Sequence, residues 1–233
     1  MDLNSFIIYL HELRNQCLYT EAAFSVFNQS IEQKSTQGVL FAGQAVLTSA
    51  SQVATILWPS RARARRRGEV LREKLGLPAE HGMADRRFVE LWERGDEKLD
   101  DFIRETKGDR VLFDFVGSPR TLNIPDLKED GVYRMYDTDN RIFIFRGIGY
   151  DLGNLSKAIA EIGRRADLLH RQIMQQVQAQ QADGARTSPA SDTATAAPAT
   201  DAAPATAEDL PSPVAGDDAA DAPAAEAKDA AKA

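Results

Sequence analysis

Charged residues of both signs are concentrated in RRFVELWERGDEKLDDFIRE, residues 86–105, which has seven carboxylates and five cations. Grouped carboxylates can bind a metal ion or transfer protons, but a di-iron type of site takes its acids from several helices and adds histidines. This stretch has no histidine. Glu90 and Arg94, and likewise Asp100 and Arg104, stand four residues apart, which is the spacing of ion pairs on an exposed helix face. We therefore interpret the stretch as the solvated side of a helix, and we expect neither a metal ion nor a cofactor.

A second chemically capable group is SRARARRRG, residues 60–68. Cations at the start of a predicted helix oppose the helix macrodipole. A bound anion would relieve that conflict, and the phosphates of RNA or DNA, an acidic partner or the chain's own acidic tail would serve. Alternatively, these arginines are spread round a short helix and paired with Glu69, Glu73 or the acidic helix that follows. The candidate anion-binding residues are Arg61, Arg63, Arg65, Arg66 and Arg67.

Three glycines lie in RGIGYDLGNL, residues 146–155, between a predicted strand and a predicted helix. Dinucleotide-binding sites have glycines in such a place, but they require a strand–helix–strand unit that orients the helix towards a pyrophosphate. Here the spacing is Gly-x-Gly-x-x-x-Gly, and no parallel strand is predicted after the helix. We expect a turn, with Asp151 or a neighbour capping the last helix.

Hydrophobic periodicity predicts the elements that carry these residues. Apolar side chains at steps of three and four indicate a first long amphipathic helix. Cys17 lies on its apolar stripe, so we expect a buried small hydrophobe rather than a reactive thiol. The members of the stripe are Leu3, Phe6, Leu10, Leu13, Cys17, Phe24, Phe27 and Ile31. Four more helices are predicted. The second is capped by Ser35 or Thr36 and stopped by Pro59, and the third runs from Ser60 to near Gly76. The fourth covers the charged stretch with Leu99, Phe102 and Ile103 inward, and the fifth has an apolar stripe from Leu152 to Val177.

The segment after Gly108 has a different period. The runs RVLFDFV, GVYRMY and RIFIFRG are short, aromatic and β-branched, and DTDN is suited to a hairpin turn. They predict a small antiparallel sheet of two or three strands at about residues 110–147. Long helices joined by short links predict a bundle. The expected fold is therefore mainly α, with about five helices and a small antiparallel β-sheet inserted before the last helix.

Composition divides the chain near residue 183. Residues 183–233 contain 20 alanines, 6 prolines, 10 acidic and 3 basic residues, with no aromatic side chain. Such a segment cannot bury enough apolar surface to offset the entropy of ordering, so we expect a disordered acidic tail. Residues 1–182 are the predicted folded domain. The net charge of −7 belongs to the tail, and the folded part is neutral.

The remaining composition points to the cytoplasm. One cysteine excludes an intramolecular disulfide and fits a reducing compartment. The N-terminus lacks a basic leader with an adequate apolar segment. We find no run that approaches the roughly 20 apolar residues of a membrane span, and we expect no membrane contact.

The order of elements resembles a known family. A first helix with YLHELRNQCLYTEAAF, the block ILWPSRARARRRGEVLREKLGLP, a charged helix, a small sheet and a closing helix follow one another over about residues 3–175. In this order the chain resembles bacterial proteins of the HEPN-like superfamily. The resemblance implies a helical bundle that is usually dimeric. It also implies a place among toxin–antitoxin or phage-defence proteins, many of which are metal-independent endoribonucleases.

The signature of that superfamily is an arginine, a polar residue and then a histidine four to six positions beyond the arginine. The arginine steadies the scissile phosphate, and the histidine moves the proton of the attacking hydroxyl. By the resemblance, Val89, Glu90 and Arg94 occupy these three positions, so the arginine and the histidine are absent. Arg164 or Arg165 with His170 meets the bare spacing on the last helix, although a chain with 20 arginines meets it readily by chance.

Our leading hypothesis is a non-catalytic HEPN-like binding protein, a homodimer through its long helices, that contacts RNA or an acidic protein partner through residues 60–68. One alternative is a metal-independent endoribonuclease that uses Arg164 or Arg165 with His170. A second alternative is a structural scaffold whose acidic tail occupies the arginine-rich helix.

Overall fold

The computed structural model describes residues 1–108, 111–122, 124 and 129–187, and the predicted mainly α fold is confirmed. The six helices are α1 Leu3–Glu32, α2 Thr36–Leu57, α3 Arg65–Leu75, α4 Arg86–Val89, α5 Gly95–Thr106 and α6 Leu152–Thr187. Four strands, β1 Leu112–Gly117, β2 Val132–Asp137, β3 Ile142–Phe145 and β4 Ile148–Asp151, precede α6. Of the tail predicted over 183–233, residues 183–187 extend α6, and the rest lies outside the described residues.

The first two helices form an antiparallel hairpin with polar caps. The Asp2 carboxylate accepts a hydrogen bond from the Ser5 backbone N–H at 2.8 Å, and the Ser35 hydroxyl accepts one from the Gly38 N–H at 3.2 Å. Both caps satisfy backbone donors that have no partner inside the helix. Lys34 has a left-handed backbone (φ 55°) and lies in the short link between the helices. α1 packs against both α2 and α6.

The predicted stripe of α1 holds in its middle but not at its ends. Leu10, Leu13, Cys17 and Phe27 are buried, and burial raises the pKa of the Cys17 thiol to about 12, with a further contribution from the nearby Glu21 and Asp167 carboxylates. Leu3 and Ile31 are instead exposed, because they lie at the helix ends.

α2 corrects the expectation that no segment has the character of a membrane span. By length and composition alone this uncharged helix could cross a membrane. In the fold, 67% of its most apolar window is buried, and α2 packs against α1, α3, α4 and the sheet. The core helix of a protein without a membrane span has the same character, so the hydropathy is weak evidence for a span.

The charged stretch is not one helix, as predicted, but two. α4 ends at Val89, a turn follows, and α5 restarts after Arg94, whose backbone is left-handed (φ 50°). The break turns Leu91 and Trp92 into the core, where Trp92 lies 5.6 Å from the Phe145 ring.

The break also changes which side chains are buried and which ion pairs form. Leu99 and Ile103 were expected inside and are 37% and 52% exposed, whereas Phe102 is buried. The expected Glu90–Arg94 and Asp100–Arg104 pairs are not found among the described residues. The pairs formed are instead Arg86–Glu90, Arg94–Glu97 and Asp101–Arg104.

The sheet has the order β1-β2-β3-β4 and differs from the prediction in two respects. β1 pairs with β2 in parallel, with Leu112 opposite Val132, and β4 is an additional strand. The predicted DTDN turn joins β2 to β3 as an antiparallel hairpin. Within it, the buried Asp137 carboxylate accepts hydrogen bonds from the backbone N–H groups of Asp139 and Asn140.

Side chains of β3 point alternately to the two faces of the sheet, and those on one face pack against the helices. Phe143 and Phe145 join the main core with α1, α2 and α6, and Ile142 and Ile144 belong to a smaller cluster on the opposite face. At the end of β4, the Asp151 carboxylate accepts a hydrogen bond from the Asn154 N–H at 2.9 Å. The interpretation of RGIGYDLGNL as a turn followed by a helix cap is therefore confirmed, with β4 between them.

Candidate functional site

The predicted arginine-rich segment lies on the surface between α2 and α3. The chain forms a single 3₁₀ turn over Ala62–Ala64 and then enters α3 at Arg65. We call the exposed members of this segment the arginine face. They are Arg61, Arg63, Arg65 and Arg66.

The ion pairs of the arginine face bear on both interpretations of the segment. Arg66 lies 3.5 Å from the Glu69 carboxylate, and its side chain is still 83% exposed. Among the described residues, no acceptor lies within hydrogen-bonding distance of the Arg61, Arg63 or Arg65 guanidinium groups. The expected pairing with Glu73 or with the acidic helix is thus not found in the described part of the chain, and most of the cations face solvent.

Arg67 does not belong to the arginine face. Its guanidinium donates to the Thr55 carbonyl at 3.1 Å and lies 4.8 Å from the centre of the Tyr9 ring. Arg72, one turn further on, donates to the Leu57 carbonyl. These carbonyls are the last ones of α2, which have no partner within the helix and lie at the negative end of its dipole. Arg67 therefore has a structural contact, which corrects its place among the anion-binding candidates.

A close approach of the two helices holds this arrangement. Gly68 is buried, and a Cβ atom at this position would lie 2.6 Å from the Leu57 carbonyl oxygen and from Pro59 Cδ. At the other end of α3, Gly76 adopts the left-handed conformation (φ 64°), and the Leu77 N–H donates to the Arg72 carbonyl at 2.9 Å. α3 is thus fixed at both ends, and it positions Arg65 and Arg66.

The structure gives Arg165 a partner other than His170. Its guanidinium donates to the Leu75 and Gly76 carbonyls at 3.1 and 2.6 Å, and to the Glu161 carboxylate at 2.6 Å. It therefore caps the end of α3, as Arg67 and Arg72 cap the end of α2. Arg164 is exposed and lines a small cleft with Arg14 and Asp167.

His170 lies on the side of α6 that faces α1. Its pKa is lowered by partial burial and by the neighbouring Arg14 and His11 side chains, and the Asp167 carboxylate opposes them. Arg14 donates to Asp167 at 2.5 Å. His170 is five positions after Arg165, which on a helix is an angle of about 140° and a rise of about 7.5 Å. The two side chains consequently contact different helices.

The three positions that the resemblance matches to the motif form no reactive group with the residues that the structure describes. Val89 is buried, Glu90 pairs with Arg86, and Arg94 lies at the break between α4 and α5. His81 stacks on the Trp58 ring at 5.2 Å and accepts a hydrogen bond from the Met83 N–H. In the described part of the chain, no three His, Cys, Asp or Glu side chains are grouped as metal ligands.

The sequence hypotheses predict a turn in residues 146–155 but give no role to Arg146, which lies in the β3–β4 turn with a left-handed backbone (φ 52°). The signal was present in the dipeptide Arg-Gly, since Asn-Gly is the usual pair in such a turn.

Comparisons of the chain with family models, with curated proteins and with solved structures give no match.

Proposed function

We propose that this protein is a non-catalytic RNA-binding protein whose arginine face contacts the phosphate backbone. The observation that carries the proposal is that Arg61, Arg63 and Arg65 are exposed and have no acceptor among the described residues. Several exposed guanidinium groups within one short segment suit phosphates, which they can bind through paired hydrogen bonds. The segment is held at the end of α2 by Arg67 and Arg72, so it is ordered before a partner binds.

The HEPN-like resemblance is part of this proposal, because it connects a helical bundle with RNA. The absence of catalysis rests on the contacts of the candidate residues. Val89 and Arg94 stand at the motif positions that need arginine and histidine, and Arg165 is engaged by backbone carbonyls of α3. No observation among the described residues favours the endoribonuclease. Residues 188–233 of the acidic tail in the scaffold hypothesis lie outside them.

The experiment compares the wild-type chain with a variant in which Arg63, Arg65 and Arg66 are all replaced by glutamine. Each arginine that contacts a phosphate releases counterions from the RNA, and this release favours binding. Because the variant loses three such contacts, we expect its RNA affinity to fall at least about tenfold at low salt. Binding is measured by fluorescence anisotropy with a labelled single-stranded RNA. The RNA recovered from the complex is analysed for cleavage.

The matched control replaces Arg120, Arg141 and Arg171 with glutamine, which removes the same charge from other exposed positions. We expect this variant to bind nearly as well as the wild type. An equal loss of RNA affinity in both variants would show non-specific attraction to net charge and would contradict binding through the arginine face. RNA cleavage that His170→Ala abolishes would contradict the non-catalytic assignment, and binding of an acidic protein instead of RNA would change the partner class.

A further inference from the structure

Arg146 occupies a backbone position that does not suit it. β3 and β4 are joined by the two residues Arg146 and Gly147, with φ of 52° and 72°. Two consecutive left-handed residues form a type I′ hairpin turn, which favours Asn-Gly because other side chains crowd the backbone there. The Gly147 backbone is itself required, since a Cβ atom would lie 3.1 Å from Asp130 Cα. An asparagine would therefore serve the turn better than Arg146 does.

The side chain of Arg146 is also unfavourably placed for folding. Its Nε and Nη1 atoms are buried, and no hydrogen-bond acceptor for either is found among the described residues. The guanidinium group lies 4.9 Å from the centre of the Phe145 ring, a favourable cation–π contact that nevertheless supplies no hydrogen-bond acceptor to these N–H groups. Burying charged donors without acceptors is costly. A residue that is unfavourable both in backbone and in side chain points to a function other than folding.

Arg146 lines a cavity of about 420 Å³ between α4, α5 and the β3–β4 hairpin, which we call the Arg146 pocket. Its lining combines the apolar side chains of Leu91, Phe102 and Phe145 with the cations Lys98 and Arg146 and with carboxylates at the rim. The size lies within the range of pockets for small organic ligands.

Lys98 adds a second incompletely neutralised cation. Its ammonium group donates to the Glu90 carbonyl. Burial lowers the pKa of Lys98, the Glu90 and Glu93 carboxylates oppose that shift, and the Arg146 charge acts in the same direction as burial. Within the described ranges, no carboxylate oxygen lies within 4.0 Å of the Lys98 or Arg146 nitrogens. Of the rim acids, Glu90 pairs with Arg86 and Asp101 with Arg104. Among the described residues, the pocket therefore has two cations, Lys98 and Arg146, that make no ion pair.

We propose that the Arg146 pocket binds a small organic anion, with its carboxylate or phosphate group against Arg146 and Lys98 and its apolar part against Leu91, Phe102 and Phe145. A charged acceptor satisfies the buried guanidinium donors and relieves the repulsion between the two cations. A hydrocarbon or aromatic group that covers the apolar wall removes apolar surface from water, which favours binding. The lining of the pocket shares no residue with the arginine face, so the pocket proposal does not depend on RNA binding.

The experiment measures binding to the full chain by isothermal titration calorimetry with four probes. Phenyl phosphate and phenylacetate carry both an anion and an apolar ring, inorganic phosphate carries the anion alone, and 2-phenylethanol carries the ring alone. We expect both aromatic anions to bind more tightly than either single-feature probe. The tighter of the two identifies the anionic group of the ligand.

Arg146→Gln is expected to weaken the binding of the tighter aromatic anion at least about tenfold. Arg141→Gln is the matched control, because Arg141 also has a left-handed backbone (φ 58°) in a hairpin turn and is exposed outside the pocket. Binding to that variant is expected to be unchanged. Lys98→Met is a second variant that weakens the same binding without altering the turn.

Thermal unfolding without a ligand separates a binding role from a structural one. Arg146→Asn gives the turn its preferred residue and removes a buried unpaired charge, so we expect a Tm equal to or above that of the wild type. A clearly lower Tm would assign the arginine to folding and overturn the inference. So would wild-type protein that binds neither aromatic anion, or Arg146→Gln protein that binds them as the wild type does.

Discussion

Arginine side chains have two opposite environments in this molecule. Arg67, Arg72 and Arg165 donate to the last carbonyl groups of α2 and α3. A cation at the negative end of a helix contributes about 0.3–1 kcal/mol, and up to about 2 kcal/mol when partly buried. By contrast, Arg61 and Arg63 have no described acceptor, and their charge is available to a partner. The same residue type therefore stabilises the fold at one end of the segment and is free to bind at the other.

His170 provides a test of the contacts between α1 and α6. Because burial and the Arg14 and His11 charges lower its pKa, we expect its imidazole to titrate below the usual value of 6.5 in an NMR titration. Arg14→Gln removes one of the nearby cations and should raise this pKa. Arg171→Gln is the control, since Arg171 does not contribute to the shift, and it should leave the value unchanged.

The sign of the associated stability change follows from linkage. The folded state holds the proton of His170 less tightly than the unfolded chain does. This contribution to stability is therefore present above about pH 6.5 and decreases as the pH falls towards the folded value. A His170 resonance that titrates above 6.5, or one that Arg14→Gln leaves unmoved, would contradict the described packing.

At the scale of elements, the approach of α3 to the end of α2 depends on Gly68. Gly68→Ala would place a Cβ atom 2.6 Å from the Leu57 carbonyl oxygen, and neither backbone can move without disturbing Arg67. We expect a loss of about 1–3 kcal/mol in the free energy of unfolding, measured with urea. Gly95→Ala is the control, because the nearest atom to its added Cβ, Arg146 Nη2, is 4.0 Å away. Equal effects at the two glycines would contradict the close helix contact.

Elements with a local signal were predictable from the sequence. The stripe around Leu10, Leu13 and Cys17 repeats with the period of a helix, and RIFIF is a short run of aromatic and β-branched residues, which is typical of a strand. Both patterns depend on which side chains are buried, so composition and spacing suffice to place them. The DTDN turn was predictable for a similar reason, since Asp137 bonds to the backbone of its own turn.

Features that depend on distant contacts were not predictable. The helix break before Gly95 places Trp92 beside Phe145, which is far away in the chain. The parallel pairing of β1 with β2 connects segments that no local pattern links. Arg146 became a candidate only when α5 and the hairpin were seen to enclose it. Likewise, the structural role of Arg67 required knowledge of where α2 ends.

At the scale of the whole molecule, several large apolar side chains of α1 and α2 are exposed in the part of the chain that the structure describes. Ile8, Tyr19 and Val26 of α1 are 68%, 58% and 45% exposed, and their spacing of 11 and 7 residues places them on one helix face. Phe41 of α2 is 70% exposed and lines a groove of about 660 Å³ together with Tyr19. Grouped exposed apolar side chains are typical of protein interfaces, which supports the expected homodimer.

The dimer prediction is tested by sedimentation or light scattering. Because these side chains are exposed within one chain, Tyr19→Lys with Phe41→Lys should yield a monomer with a nearly unchanged Tm. Leu168→Lys is the control, since this exposed leucine lies on α6 and outside the face, and it should remain a dimer. A wild-type chain that is monomeric at all concentrations would contradict the prediction.

The salt dependence of RNA affinity tests the arginine face most directly. For single-stranded RNA, the logarithm of the binding constant falls with the logarithm of salt concentration by about 0.7 for each phosphate contacted. Replacing Arg63, Arg65 and Arg66 with glutamine should therefore make the slope less steep by about 2, whereas the Arg120, Arg141 and Arg171 variant should keep the wild-type slope. An unchanged slope in the first variant, or no binding by the wild type at low salt, would contradict the account.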